Sequence, residues 1–300
     1  MGASRLSSRT APSAPGRAAL VLLMACAGAC AGQGIHDDGT SVSFGPPNRG
    51  ALVNPLVLPP SGDGYWMPPT WARRGLHYGT GELVGMIAHL GRDLAQRGAG
   101  RPLAVADLSP QRGGPSRWHR SHQTGRDVDL IYFARDAEGR PVPADSMRHF
   151  RADGASVEQP VVYFDDRANW LLVRALIENP VADVQWIFVH DDLKQRMLDH
   201  AVRSGEPGGI VAAAAILMHQ PTRALPHDDH MHVRIYCDSA DVRLGCEEIG
   251  PIRWFKKAYK YRGLVRAARA ADLVPRRGEA GRGMVMAALP TLPLRGFVPR

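Results

Sequence analysis

The sequence predicts an α+β fold, a central antiparallel sheet flanked by helices. Segments with apolar residues at helical spacing are interspersed with short alternating segments, without the regular βαβ repeat that builds a parallel sheet. No Gly-rich phosphate-binding string and no internal repeat is visible, which argues against a nucleotide-binding doubly wound fold and against a solenoid. Three hundred residues, 44% of them hydrophobic and 22% charged, suffice for one large core or two small ones.

Residues 1–32 read as an export signal. Arg5, Arg9 and Arg17 precede an apolar run from Ala18 to Ala31 that is too short and too rich in Gly and Ala for a membrane span of about 20 residues. Within it Leu23-Met24-Ala25-Cys26 resembles a bacterial lipobox and marks Cys26 for lipidation; a plain cleaved signal is the alternative. Membrane attachment is expected only through such an N-terminal lipid. Residues 33–76 hold Pro46-Pro47, Pro59-Pro60 and Pro68-Pro69 and read as an extended segment with little regular structure, anchored by Tyr65, Trp66 and Trp71.

The domain proper is expected over residues 77–272. Leu83, Met86, Ile87, Leu90 and Leu94 predict a helix from Thr80 to Gln96, opened by Thr80 and closed by Gly98. A short strand is expected over 103–108 and an alternating one over 127–133, with Asp127 and Asp129 on one face. Helices are expected over 166–178, 191–202 and 208–218, a buried strand over 184–189 and a last alternating strand over 230–236. Residues 273–300, rich in Pro, Gly and Arg, read as a flexible tail.

The 37 basic against 29 acidic residues suit contact with something anionic, such as nucleic acid, lipid headgroups or cell-wall polymer, without naming it. Several of those arginines lie in the signal and between Arg276 and Arg300, so the folded body is more nearly balanced. No basic helix or groove-like run points to nucleic acid, and none is expected as a partner. Cys237 and Cys246 are the cysteines left after the signal. In an oxidising compartment they are expected to pair, and two are too few for a Cys-type zinc cluster. Oligomeric state leaves no trace in the sequence.

Five of the twelve histidines fall in two clusters, His119 and His122 in WHRSHQTGRDVDL, and His227, His230 and His232 in PHDDHMHVR. A catalytic zinc takes three ligands from His and carboxylate and keeps a fourth position open for water. On a strand His230 and His232 share one face while Met231, Val233 and Ile235 face the core, so one can bind metal and the other reach the water. His122 sits in a turn that can fold back beside Asp129. Each feature alone is commonly incidental, a loop histidine or a solvated strand carboxylate. Together, in an exported chain with no other nucleophile signature, they favour a metal hydrolase.

SHQTGRDVD, followed much later by HDDHMHVRIYC, resembles the penicillin-insensitive murein endopeptidase family, a relative of D-Ala-D-Ala metallopeptidases, lysostaphin-type peptidases and the hedgehog domain. The shared pattern is a His, an Asp seven positions on, and a distant His-x-His, and the likeness spans roughly residues 44–250. The resemblance implies Zn2+ held by His122, Asp129 and His232, with His230 as general base or water-orienting group. It further implies that His227 stabilises the oxyanion or protonates the leaving amine, and it matches His119 to a position that contacts a second metal. Ser121 and Gln123 are expected to shape the loop. The implied activity is hydrolysis of D-amino-acid peptide cross-links in peptidoglycan, in the periplasm or on the envelope. Two alternatives stay open: a D,D- or L,D-carboxypeptidase, for which Arg126, Arg234 or Arg253 could grip a terminal carboxylate, and a non-catalytic zinc-containing wall-binding module.

Overall fold

The structure, a computed structural model, describes residues 39–250. The export signal with Cys26, residues 33–38, Arg253 and the rest of 251–272, and the tail 273–300 lie outside the described residues. The segment expected to be extended carries strands of two or three residues, among them β1 (Val42–Phe44) and β2 (Ala51–Val53), paired antiparallel, and a one-turn helix over Pro69–Ala72. Strands this short, broken by paired prolines, have too few residues to display a period of two.

The first long helix, α1 (Gly81–Gln96), begins where the Thr80 hydroxyl accepts a hydrogen bond from Leu83 N at 3.3 Å. It buries Leu83, Met86, Ile87, Leu90 and Leu94, the face that the spacing predicts. The strand expected over 103–108 shortens to Leu103–Ala104 plus a bridge from Val105 to Leu130. Next come β3 (Asp127–Ile131), α2 (Asp166–Ile177), β4 (Val184–Phe188), α3 (Asp191–Arg203), α4 (Gly208–Leu217), β5 (Met218–His219), β6 (His230–Ile235) and α5 (Ser239–Leu244). Asp165 caps α2 by accepting from Ala168 N at 3.0 Å, and Trp170 of that helix is almost wholly buried. Helix α2 packs against α1, α3 and α4.

The central sheet has the order β5-β4-β6-β3. Its β4–β6 and β6–β3 pairs are antiparallel as expected, but the edge pair β4–β5 is parallel. Parallel neighbours need a long crossover, and α3 with α4 supplies it. The register sets His232 opposite Asp129 and Arg234 opposite Asp127, while Met231, Val233 and Ile235 point into the core. A slip of one residue would turn His232 away from the carboxylate. Cys237 and Cys246 form a disulfide that ties the exit of β6 to the end of α5.

Because Leu90 is fully buried in this core, Leu90→Ala is expected to cost about 2–5 kcal/mol of stability. Denaturant titration should show a lowered midpoint with an unchanged slope.

Candidate metal centre

Ahead of β3 the chain turns through His122, whose φ of +63° lies in the left-handed region. A left-handed backbone costs an ordinary residue on the order of 1 kcal/mol or more, and the surroundings hold it in place. His122 N donates to Asp127 Oδ2 at 3.3 Å, Gly125 N to Ser109 Oγ at 2.9 Å, and Thr80 N to Gly125 O at 2.9 Å. Gln123 shapes the loop, as expected, by donating from Nε2 to Arg120 O. Gly113 lies against this turn at φ +66°, where a Cβ would collide with Gln123 O and Leu52 N.

The tautomers follow from the partners. His122 Nδ1 lies 2.7 Å from Leu108 O, and a carbonyl only accepts, so Nδ1 carries the hydrogen and Nε2 the lone pair. His232 Nε2 lies 2.8 Å from Asp127 Oδ1, so it donates and Nδ1 holds the lone pair. Those two lone pairs converge. His122 Nε2 and His232 Nδ1 are 3.2 Å apart, and each is 3.2 Å from Asp129 Oδ1.

Asp129 is fully buried, and neither of its oxygens has a donor in hydrogen-bonding geometry despite the close imidazoles. Three acceptors facing one another in a dry site repel, and a cation between them removes the conflict. A tetrahedron around an ion bonded at about 2.0 Å has edges of about 3.3 Å, close to the triangle found. Two imidazoles and one carboxylate suit zinc. The residues therefore fit a metal ion of this kind.

Other groups surround the triangle. His230 Nδ1 lies 2.6 Å from Asp229 Oδ1 and its Nε2 3.5 Å from Asp129 Oδ1. Burial lowers His230, but the Asp129 and Asp229 carboxylates push it up to about 9. His227 behaves oppositely: burial, then the neighbouring His232 and His230, push it down to about 3, and its Nδ1 is buried without a partner. The His227 and His230 rings are 5.4 Å apart. His119 stacks on His122 at 4.2 Å, with Nε2 2.8 Å from Asp107 Oδ2 and Nδ1 3.7 Å from Asp129 Oδ2. Four of the five clustered histidines thus come within 3.7 Å of one carboxylate, and His227 adjoins them through His230 and His232. His149 and Asp228 adjoin them, with His149 Nδ1 2.8 Å from Asp228 Oδ1.

Burial alone would raise Asp127 and Asp129. Arg234, 2.6 Å from Asp127, and the Nε2–H of His232 hold Asp127 well below the usual carboxylate range, and the cationic His230 beside Asp129 holds that carboxyl low as well. Both stay ionised.

Three carboxylates support the histidines: Asp127, placed by the sequence on one face with Asp129 but given no role, and Asp229 and Asp107, which the sequence did not single out. Asp127 orients His232, Asp229 orients His230, and Asp107 bridges His119 to Arg74 Nη1 at 2.6 Å. The alternation of DVD and the adjacency in HDDH signal the first two; nothing local signals Asp107. Arg126 and Arg234, available as grips for a terminal carboxylate under the carboxypeptidase alternative, have internal partners. Arg126 is buried and donates to Ser43 Oγ, Ile235 O and Glu247 O, and Arg234 Nε donates to Asp127.

An Asp127→Asn variant should hold a metal ion about 10-fold to 100-fold more weakly, because His232 loses the carboxylate that fixes its tautomer and raises its basicity. Competition against a chelator of known affinity reads this directly.

A sequence model described as penicillin-insensitive murein endopeptidase matches residues 43–253. The penicillin-insensitive murein endopeptidase of Salmonella heidelberg (strain SL476) is 29% identical over 214 residues, covering 70% of this chain and 71% of that protein. Its counterpart in Klebsiella pneumoniae (strain 342) is 28% identical over 242 residues, covering 78% of this chain and 81% of that protein.

Proposed function

Because the chain belongs to the penicillin-insensitive murein endopeptidase family, we propose that it is a zinc-dependent peptidase that hydrolyses D-amino-acid cross-links of peptidoglycan. The observation that carries the metal reading is the triangle of acceptors around the donorless Asp129 carboxylate. His122, Asp129 and His232 hold the ion. When bound, zinc acidifies water and polarises a carbonyl.

The remaining steps belong to side chains. Asp229 keeps the proton of His230 on Nδ1, so Nε2, turned toward Asp129, takes the proton from the attacking water and later returns it to the leaving amine nitrogen. His230 owes its elevation to nearby carboxylates; with the charge of Asp129 offset by an ion it falls toward the neutral range in which a base works. His227, held neutral by burial, donates a hydrogen bond to the developing oxyanion without bringing a charge of its own. His119 steadies His122 by stacking and presents Nδ1 to the second oxygen of Asp129.

Commitment of Arg126 and Arg234 to internal partners supports an endopeptidase over a carboxypeptidase, and retention of both His227 and His230 supports catalysis over a binding-only module. The basic, apolar N-terminus supports export to the periplasm, with Cys26 available for a lipid. Among the described residues no helix is long and apolar enough to cross a membrane.

Incubating the chain with isolated cross-linked muropeptide dimers, and weighing the products by mass spectrometry, tests the proposal. Conversion of dimers to monomers, blocked by chelator and unaffected by a β-lactam, is expected, since no serine acts as nucleophile. Intact dimers beside trimmed uncross-linked stems would replace the endopeptidase with a carboxypeptidase.

A further inference from the structure

Next to the segment that carries His119 lies an open groove of about 630 Å³, its lining including Arg73, Arg74, Leu76, Ser116, Arg117 and Trp118. Its volume falls within the range of about 300–1,000 Å³ typical of ligand clefts. No Asp or Glu lines it. Arg74 is held by Asp107 at 2.6 Å and lies over the Trp118 ring at 4.1 Å, and Arg117 lies over the same ring at 4.5 Å. Neither Arg73 nor Arg117 has a carboxylate partner among the described residues, and both are exposed.

The groove is joined to the centre by covalent and polar links. Trp118 directly precedes His119, which stacks on His122, and Asp107 accepts from both Arg74 and His119. A peptide held at the metal centre and extending from His119 toward Trp118 would meet two uncompensated guanidinium groups and an aromatic ring. Guanidinium pairs with carboxylate through two parallel hydrogen bonds, and a half-exposed indole covers hydrocarbon.

We propose that this groove is the subsite for a carboxylate-bearing arm of the peptide substrate, Arg73 and Arg117 pairing with the carboxylate and Trp118 covering the alkyl chain next to it. The inference rests on the reading that the substrate is a peptidoglycan cross-link. It gives the site a preference for free over amidated stem carboxylates.

Two cross-linked dimers, identical except that the stem carboxylates are free in one and amidated in the other, separate this inference from the reading beneath it. The zinc-loaded parent chain should show a KM about tenfold lower for the free-carboxylate dimer. The Arg73→Gln/Arg117→Gln variant should lose that preference by a rise in KM on the free dimer alone, with kcat reduced by less than about threefold. Equal KM shifts on both dimers, or none, would overturn the subsite while leaving the endopeptidase standing. If neither dimer is cleaved, the endopeptidase reading falls, and calorimetry still decides the groove. An uncross-linked stem peptide with free carboxylates should bind the variant about tenfold more weakly than the parent, and equal binding would overturn the subsite.

Discussion

Asp129→Ala is expected to leave the chain without zinc and to lower hydrolysis of cross-linked dimers by about 10³-fold or more, the scale of several kcal/mol of lost Lewis-acid stabilisation. Asp129 is the one corner of the triangle that brings negative charge. Without it, His122 Nε2 and His232 Nδ1 remain 3.2 Å apart with nothing to offset an ion's charge. His232→Ala should do the same, since it removes a corner and also strands the buried Asp127 beside Arg234. Elemental analysis reads the metal, and thermal melting gives an independent check. Zinc binds only the folded parent and should raise its melting temperature as the free ion exceeds the dissociation constant. It should not move that of Asp129→Ala. A variant that kept stoichiometric zinc would remove Asp129 from the ligand set.

His230→Ala is expected to separate chemistry from metal binding. His230 Nε2 approaches Asp129 Oδ1 only to 3.5 Å, and its other nitrogen is engaged by Asp229 at 2.6 Å, so zinc content should match the parent. Turnover should fall about 10²-fold to 10⁴-fold, the usual contribution of a positioned acid or base. Equal loss of metal in His230→Ala and His232→Ala would erase the distinction between the two histidines of the His-x-His pair.

Much of this site is legible in the amino-acid sequence because strand geometry is periodic. Alternation in DVD and in HMHVRI puts Asp127 with Asp129, and His230 with His232, each pair on one face of its strand, and the five core positions of α1 recur at the spacing of a buried helical face. What escapes is what depends on burial and on distant partners. Asp107, Arg126 and Arg234 are ordinary surface residue types in ordinary local contexts, and only tertiary packing makes them internal. The same holds for the parallel strand β5, of which Met218 reads as the end of a helix until Ile187 and Phe188 pair with Met218 and His219. The short strands before Trp71 fail for lack of length. The turn at His122 is partly legible, as a histidine in a Ser/Gly context, but its left-handed backbone follows from bonds to Leu108, Asp127 and neighbouring loops.

The dependence of activity on one ion is tested most directly by stripping the purified chain with chelator, removing the chelator, and adding zinc in measured steps while dimer hydrolysis is followed. Activity should be absent at the start, rise in proportion to added zinc, and level off at one ion per chain. Full hydrolysis by the stripped chain, or none at one bound ion per chain, would contradict a single catalytic ion held by His122, Asp129 and His232.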